Sequence, residues 1–131
     1  MPLSIPLPAG AKVIINGAVV QNNGSANITL AIHNKAYILR DKEVLTQAEA
    51  DSPAKEVYYH VQNAYLFEDN RAEWESIAYA LLDRYQASVP DAAEIVEHIR
   101  GLMQEDKLYN ALRASRRLIA LETDEPPASE S

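Results

Sequence analysis

The residues best suited to grip something fall in one short stretch, Lys35-Ala-Tyr-Ile-Leu-Arg40-Asp-Lys42. Three cations surround Tyr37, and His33-Asn34 lies just upstream. Basic side chains beside an aromatic ring on a strand can hold phosphates while the ring stacks on a base. Asn34 offers an amide for a base edge, and Lys12 is a further cation earlier in the chain. The same residues also suit plain structure, with Tyr37 in a core and lysines guarding a strand edge against aggregation.

Arg113, Arg116 and Arg117 form a second basic set. Spacings of three and four residues put them on one helix face, away from Leu112 and Ile119. There they could hold phosphate or an acidic partner. Cations near a helix C-terminus also simply complement its dipole, and the chain has many acids to pair with them. A third set is aromatic. Tyr58, Tyr65, Trp74 and Tyr85 fit buried helical stripes, whereas Tyr59 and Tyr79 fall off them. Exposed tyrosines are enriched at interfaces, so these two are candidates for a partner surface, such as a groove for an amphipathic helix.

Chemistry beyond binding has little to stand on. His33, His60 and His98 lack metal-ligand spacing, and Glu94 with Glu97 is an i, i+3 pair of a kind common on solvated faces. Cysteine is absent, which excludes disulfides, thiolate zinc sites and thiol nucleophiles. The four glycines are isolated and build no phosphate loop, and no serine sits in a nucleophile elbow. A binding or regulatory module is expected, not an enzyme, with no metal and no cofactor.

The elements that position these residues follow from periodicity. Leu3, Ile5 and Leu7 alternate with Ser4, Pro6 and Pro8, an edge strand because proline cannot donate to a ladder. Lys12 to Ile15 and Ala18 to Gln21 flank Asn16-Gly17, a tight hairpin turn. Asn22 to Ser25 is a second turn, Ala26 to His33 alternates as a half-buried strand, and Ala36 to Arg40 is a last strand. The period then becomes helical. Ser52 or Asp51 can cap a helix with Pro53 at its first position. Further helices carry Trp74, Ile77, Ala78, Leu81, Leu82 and Tyr85, then Ala92 to Met103, then Leu108 to Ile119. The fold class is α+β: a small N-terminal antiparallel β-meander (1–45), then an antiparallel bundle of about four helices (46–121). The two are expected to pack as one compact domain, and 122–131 reads as a disordered acidic tail.

Length and charge agree with this plan. At 131 residues the chain suits one domain. Its net charge of −7 excludes a broadly basic nucleic-acid binder. The charge is unevenly placed: residues 1–50 carry four basic and three acidic residues, a net +1, and 51–131 carry eight and sixteen, a net −8. The N-terminus lacks a signal-peptide pattern, and no apolar run reaches the roughly 18–20 residues of a membrane span. A cytoplasmic protein without membrane contact is expected.

Over most of its length, from about Leu3 to Glu122, the chain resembles the FlbT flagellar biosynthesis regulators. The resemblance is carried by Ile15-Asn16-Gly17-Ala18-Val19, Asn34-Lys35-Ala36, Ile38-Leu39-Arg40 and Lys42. It continues in Ala50-Asp51, Pro53-Ala54-Lys55, Tyr58, Gln62, Tyr65-Leu66, Tyr109-Asn-Ala111-Leu112, Arg116, Leu118-Ile119 and Glu122. One departure is Ala11, where relatives often carry Glu after the glycine. The resemblance implies a post-transcriptional repressor that associates with the 5′ untranslated region of flagellin mRNA and promotes its degradation. It also implies a link to a small companion protein, FlaF, and supplies no catalytic residue. On that footing Lys12, Asn34, Lys35, Tyr37, Arg40 and Lys42 are the RNA-binding candidates, and Arg113, Arg116 and Arg117 a secondary patch. The alternative is a protein-interaction module binding FlaF, flagellin or both, with an indirect effect on the mRNA. A free strand edge also leaves room for a homodimer.

Overall fold

Short alternating segments and turn residues dominate the first forty positions, and they form strands Leu3–Leu7 (β1), Lys12–Ile15 (β2), Ala18–Gln21 (β3), Ile28–Ile32 (β4) and Ile38–Arg40 (β5). Four helices follow: Pro53–Leu66 (α1), Arg71–Ser88 (α2), Ala93–Gln104 (α3) and Leu108–Thr123 (α4). The computed structural model describes residues 3–123. Contacts divide the chain into two compact units, with the boundary between Val44 and Leu45. The α+β class, antiparallel strands first and four helices after, is as expected.

The β unit holds a finding about strand order. Asn16 and Gly17 both take positive φ, 52° and 86°, as the tight turn between β2 and β3 requires. That hairpin apart, the strands do not follow one another as a meander. β5 pairs on the other side of β2, giving the order β3-β2-β5, and β1 pairs with β4 in a separate two-stranded sheet. The segments before β4 and β5 are long enough to carry the chain away from its sequence neighbour. Pro6, opposite Thr29, confines β1 to pairing on one side. Ile5, Leu7, Val13 and Leu39 are the buried apolar side chains of this unit.

The buried Asn22 fixes the turn between β3 and β4. Its Nδ2 donates to the Leu7 carbonyl at 2.9 Å and the Ala26 carbonyl at 2.8 Å, and its Oδ1 accepts from the Gly24 N–H at 3.0 Å.

In the helical unit, Ser52 caps α1, its Oγ accepting from the Lys55 N–H at 3.3 Å, with Pro53 in the first turn. Val57, Tyr58 and Val61 of α1 meet α2 and α4, and α3 packs on α4 through Val96, Ile99 and Met103. The stripe expected on α2 is narrower than its spacing suggested. Ala78, Leu82 and Tyr85 are buried, Trp74 and Leu81 are half-buried, and Ile77 is 44% exposed. The buried Gln62 brackets Leu45, accepting from its N–H at 2.8 Å and donating to its carbonyl at 2.9 Å.

The start expected for the acidic tail is corrected. α4 runs on to Thr123, so Glu122 is helical. Its carboxylate accepts from the Ser52 hydroxyl and, at 2.8 Å, from the Ala54 N–H, and so helps to cap α1. Positions 124–131 lie outside the described residues.

Candidate nucleic-acid interface

Lys12 opens β2 and Arg40 closes β5. The antiparallel register sets Arg40 opposite Val13, next to Lys12. The Arg40 N–H donates to Glu43 Oε1 at 2.8 Å, which tightens the single turn Asp41–Glu43 that carries Lys42. Lys12, Arg40 and Lys42 are all exposed, and together they line one groove of about 340 Å³. Leu7, Pro8 and Val13 supply apolar wall, and Asp41 is its one acid among the described residues. Ala11 lines the same groove and adds no carboxylate to it. This arrangement can hold an anion through three separate cations over a partly apolar floor.

The rest of the predicted set sits elsewhere. Tyr37 faces Asn16 at the hairpin end of β2: its N–H donates to Asn16 Oδ1, and its carbonyl accepts from the Asn16 N–H, both at 2.8 Å. From Val13 to Asn16 is three strand steps, about 10 Å at the usual rise. The Lys35 ammonium lies 5.6 Å from the centroid of the half-buried Tyr37 ring, a cation–π contact that occupies a ring face. Asn34 is exposed. The stretch 35–42 is therefore two places: a charged groove at one end of the β2–β5 pair and a covered aromatic at the other.

The arginine trio also divides. Arg113 and Arg117 share a groove of about 450 Å³ with His98, Leu102, Asn110 and Ala114, while Arg116, though exposed, is outside its lining. Tyr59 and Tyr79 are half-buried rather than exposed. Tyr59 stands edge-on to Trp74, centroids 6.2 Å apart, and to His60 at 5.4 Å, because α1 and α2 meet there. Burial first, and then the Glu75 charge, push the Tyr79 phenol above its ordinary range. Burial likewise raises the Glu75 carboxyl, against a smaller lowering by Arg71.

Among the described residues no group of three or more acids and histidines could hold a metal ion. Among the described residues no helix is long and apolar enough to cross a membrane. Sequence reading missed the groove-forming role of Lys12 beside Arg40, which only the β2–β5 register reveals.

The model of the family described as "Flagellar protein FlbT" matches residues 3–125. A protein of Caulobacter sp. (strain K31), named a probable flagellum biosynthesis repressor protein FlbT, is 37% identical over 128 residues, 93% of this chain and 94% of the relative. The flagellum biosynthesis repressor protein FlbT of Caulobacter vibrioides (strain ATCC 19089 / CIP 103742 / CB 15) is 33% identical, covering 95% of this chain and 89% of its own. A probable flagellum biosynthesis repressor of Rhodopseudomonas palustris (strain TIE-1) is 32% identical, covering 95% and 97%. No solved structure matches the chain. With a family model spanning nearly its whole length and relatives above 30% identity, the chain belongs to the FlbT family of flagellar proteins.

Proposed function

We propose that this protein represses flagellum synthesis after transcription, by associating with the 5′ untranslated region of flagellin mRNA and promoting its degradation. The regulatory role rests on the family, whose members include proteins named flagellum biosynthesis repressors. The observation that carries the RNA contact is the convergence of Lys12, Arg40 and Lys42 on one groove of the β unit. Single-stranded RNA bound there would lay phosphates against these cations, with Leu7, Pro8 and Val13 beneath a base or sugar. Lys35 and Tyr37 would contribute only by a rearrangement that frees the ring. The second reading is a protein-interaction module that binds FlaF, flagellin or both and affects the flagellin mRNA indirectly.

The test is a titration of labelled flagellin leader at several salt concentrations, for the parent chain and for K12A/R40A/K42A. Each lost single-strand phosphate contact should flatten the slope of log K against log salt by about 0.7. The triple variant should therefore lose affinity and up to about 2 in slope. A folded triple variant with unchanged affinity and slope would remove this groove as the RNA site. Retention of FlaF or flagellin with no RNA bound by the parent chain would favour the indirect route.

A further inference from the structure

Acids outnumber bases in the helical unit, and most of its cations have partners. Lys55 pairs with Asp51, Lys107 with Glu105, and Arg100 with both Asp83 and Glu97. Arg71 donates to the Ala64 and Tyr65 carbonyls. Arg84 makes no ion pair among the described residues, but two acids, Glu56 and Glu122, line its groove. Arg113 and Arg117 differ: both are exposed, and neither pairs with an acid among the described residues.

They lie one turn apart on α4, so their Cβ atoms are about 5–6 Å apart. His98 and Leu102, also one turn apart, face them from α3, and Asn110 closes one end. No acid lines this groove of about 450 Å³ among the described residues. Glu94, one turn before His98 on α3, is exposed and outside the lining.

The geometry points to a second anion site here: a phosphate-binding groove between α3 and α4, held by Arg113 and Arg117. A guanidinium presents a planar fork that matches two phosphate oxygens. Two forks one turn apart can clasp one phosphate from both sides or take neighbouring ones. The Asn110 amide and a ring nitrogen of His98 add donors. An unpaired arginine pair in a unit rich in acids gains more from an incoming anion than a paired one, because no internal bridge must break. The phosphate can come from an RNA backbone or from a nucleotide. The RNA form rests on the function proposed above, and the nucleotide form does not.

The full chain and R113A/R117A are titrated with labelled leader RNA across salt, and with ADP by calorimetry. R84A, which removes a cation from another groove of the helical unit, serves as a control for loss of charge away from this groove. If the groove takes RNA phosphates, the salt slope of R113A/R117A falls by about 0.7 for one clasped phosphate or about 1.4 for two, while that of R84A is unchanged. If it takes a nucleotide, ADP binds the parent chain and R84A but not R113A/R117A, and the RNA slope stays. R113K/R117K keeps the charge without the forks; retained slope with weaker binding supports the site, and it substitutes if the alanine variant misfolds. An unchanged RNA slope together with no ADP binding to the parent chain overturns the proposal. The K12A/R40A/K42A variant separates the two sites: RNA loss confined to it, with no ADP binding, removes the α3–α4 groove alone. A slope change confined to R113A/R117A removes the β-unit groove alone.

Discussion

Every polar group of Asn22 is engaged. Besides its three side-chain bonds, its N–H donates to the Ala11 carbonyl at 3.0 Å, and its carbonyl accepts from the Gly10 N–H at 2.8 Å. One residue thus ties β1 and the β3–β4 turn through its side chain and the β2 entry through its backbone. Asn22→Ala strands the buried Leu7 carbonyl and strips two groups nearer water. A buried group left without a partner costs about 1–3 kcal/mol, so the variant should lose about 2–3 kcal/mol of stability. Urea unfolding checks this, and an unshifted midpoint would mean that water replaces the amide without loss. The Asn22-to-Gly24 bond is legible in sequence as an Asx turn within Asn-Asn-Gly-Ser. The bond to Leu7 spans fifteen positions and depends on tertiary placement. The same distinction governs the cations. Lys35, Arg40 and Lys42 are close in sequence, yet Arg40 shares its groove with Lys42 and with Lys12 from β2, and not with Lys35.

Elements were more legible than their partners. Asn-Gly for the hairpin, Ser-Pro for the start of α1 and the period change after Glu43 each act through local backbone preferences, which a sequence displays directly. Which strand pairs with which is decided by loops and by Pro6, so two sheets form where alternation alone suggests a single meander. The end of α4 was hidden for a related reason. Glu122 looks like the first residue of an acidic tail, but its carboxylate finds the open N-terminus of α1. Negative charge there satisfies free N–H groups and favours the helix dipole. Glu122→Ala should cost about 1–2 kcal/mol, the usual value of a lost cap. For a unit of this size that is about 4–8 °C in melting temperature per kcal/mol. Circular dichroism at the helical wavelengths measures it. Glu122→Gln, which keeps an acceptor, should recover part of the loss, and equal melting of the alanine variant and parent would show that Ser52 alone suffices.

For the molecule as a whole, the total of −7 conceals a near-neutral β unit and an acidic helical unit. RNA approaching such a chain meets net repulsion and a few local cations, the reverse of electrostatic steering. Association should therefore run near the unsteered range of about 10⁵–10⁶ M⁻¹s⁻¹. It should hold level or fall on lowering the salt, because the repulsion is then less screened, and dissociation carries the salt dependence of binding. Stopped-flow mixing with leader RNA at two salt concentrations distinguishes this from a steered encounter, which would reach about 10⁸ M⁻¹s⁻¹ at low salt. The division of charge was readable from composition alone. The local pairs Lys107–Glu105 and Arg100–Glu97 are close in sequence, but the Arg100–Asp83 bridge depends on α3 facing α2, which composition does not display.

The contact between Ser52 and Glu122 joins positions seventy residues apart. At a synthesis rate of about 5–20 residues per second, the later partner is made roughly 4–14 s after the first. Until then the N-terminus of α1 lacks its carboxylate, whereas the last strand of the β unit is complete at Arg40. On the ribosome the strands can therefore settle first, and the helical unit is secured last, from its C-terminal end.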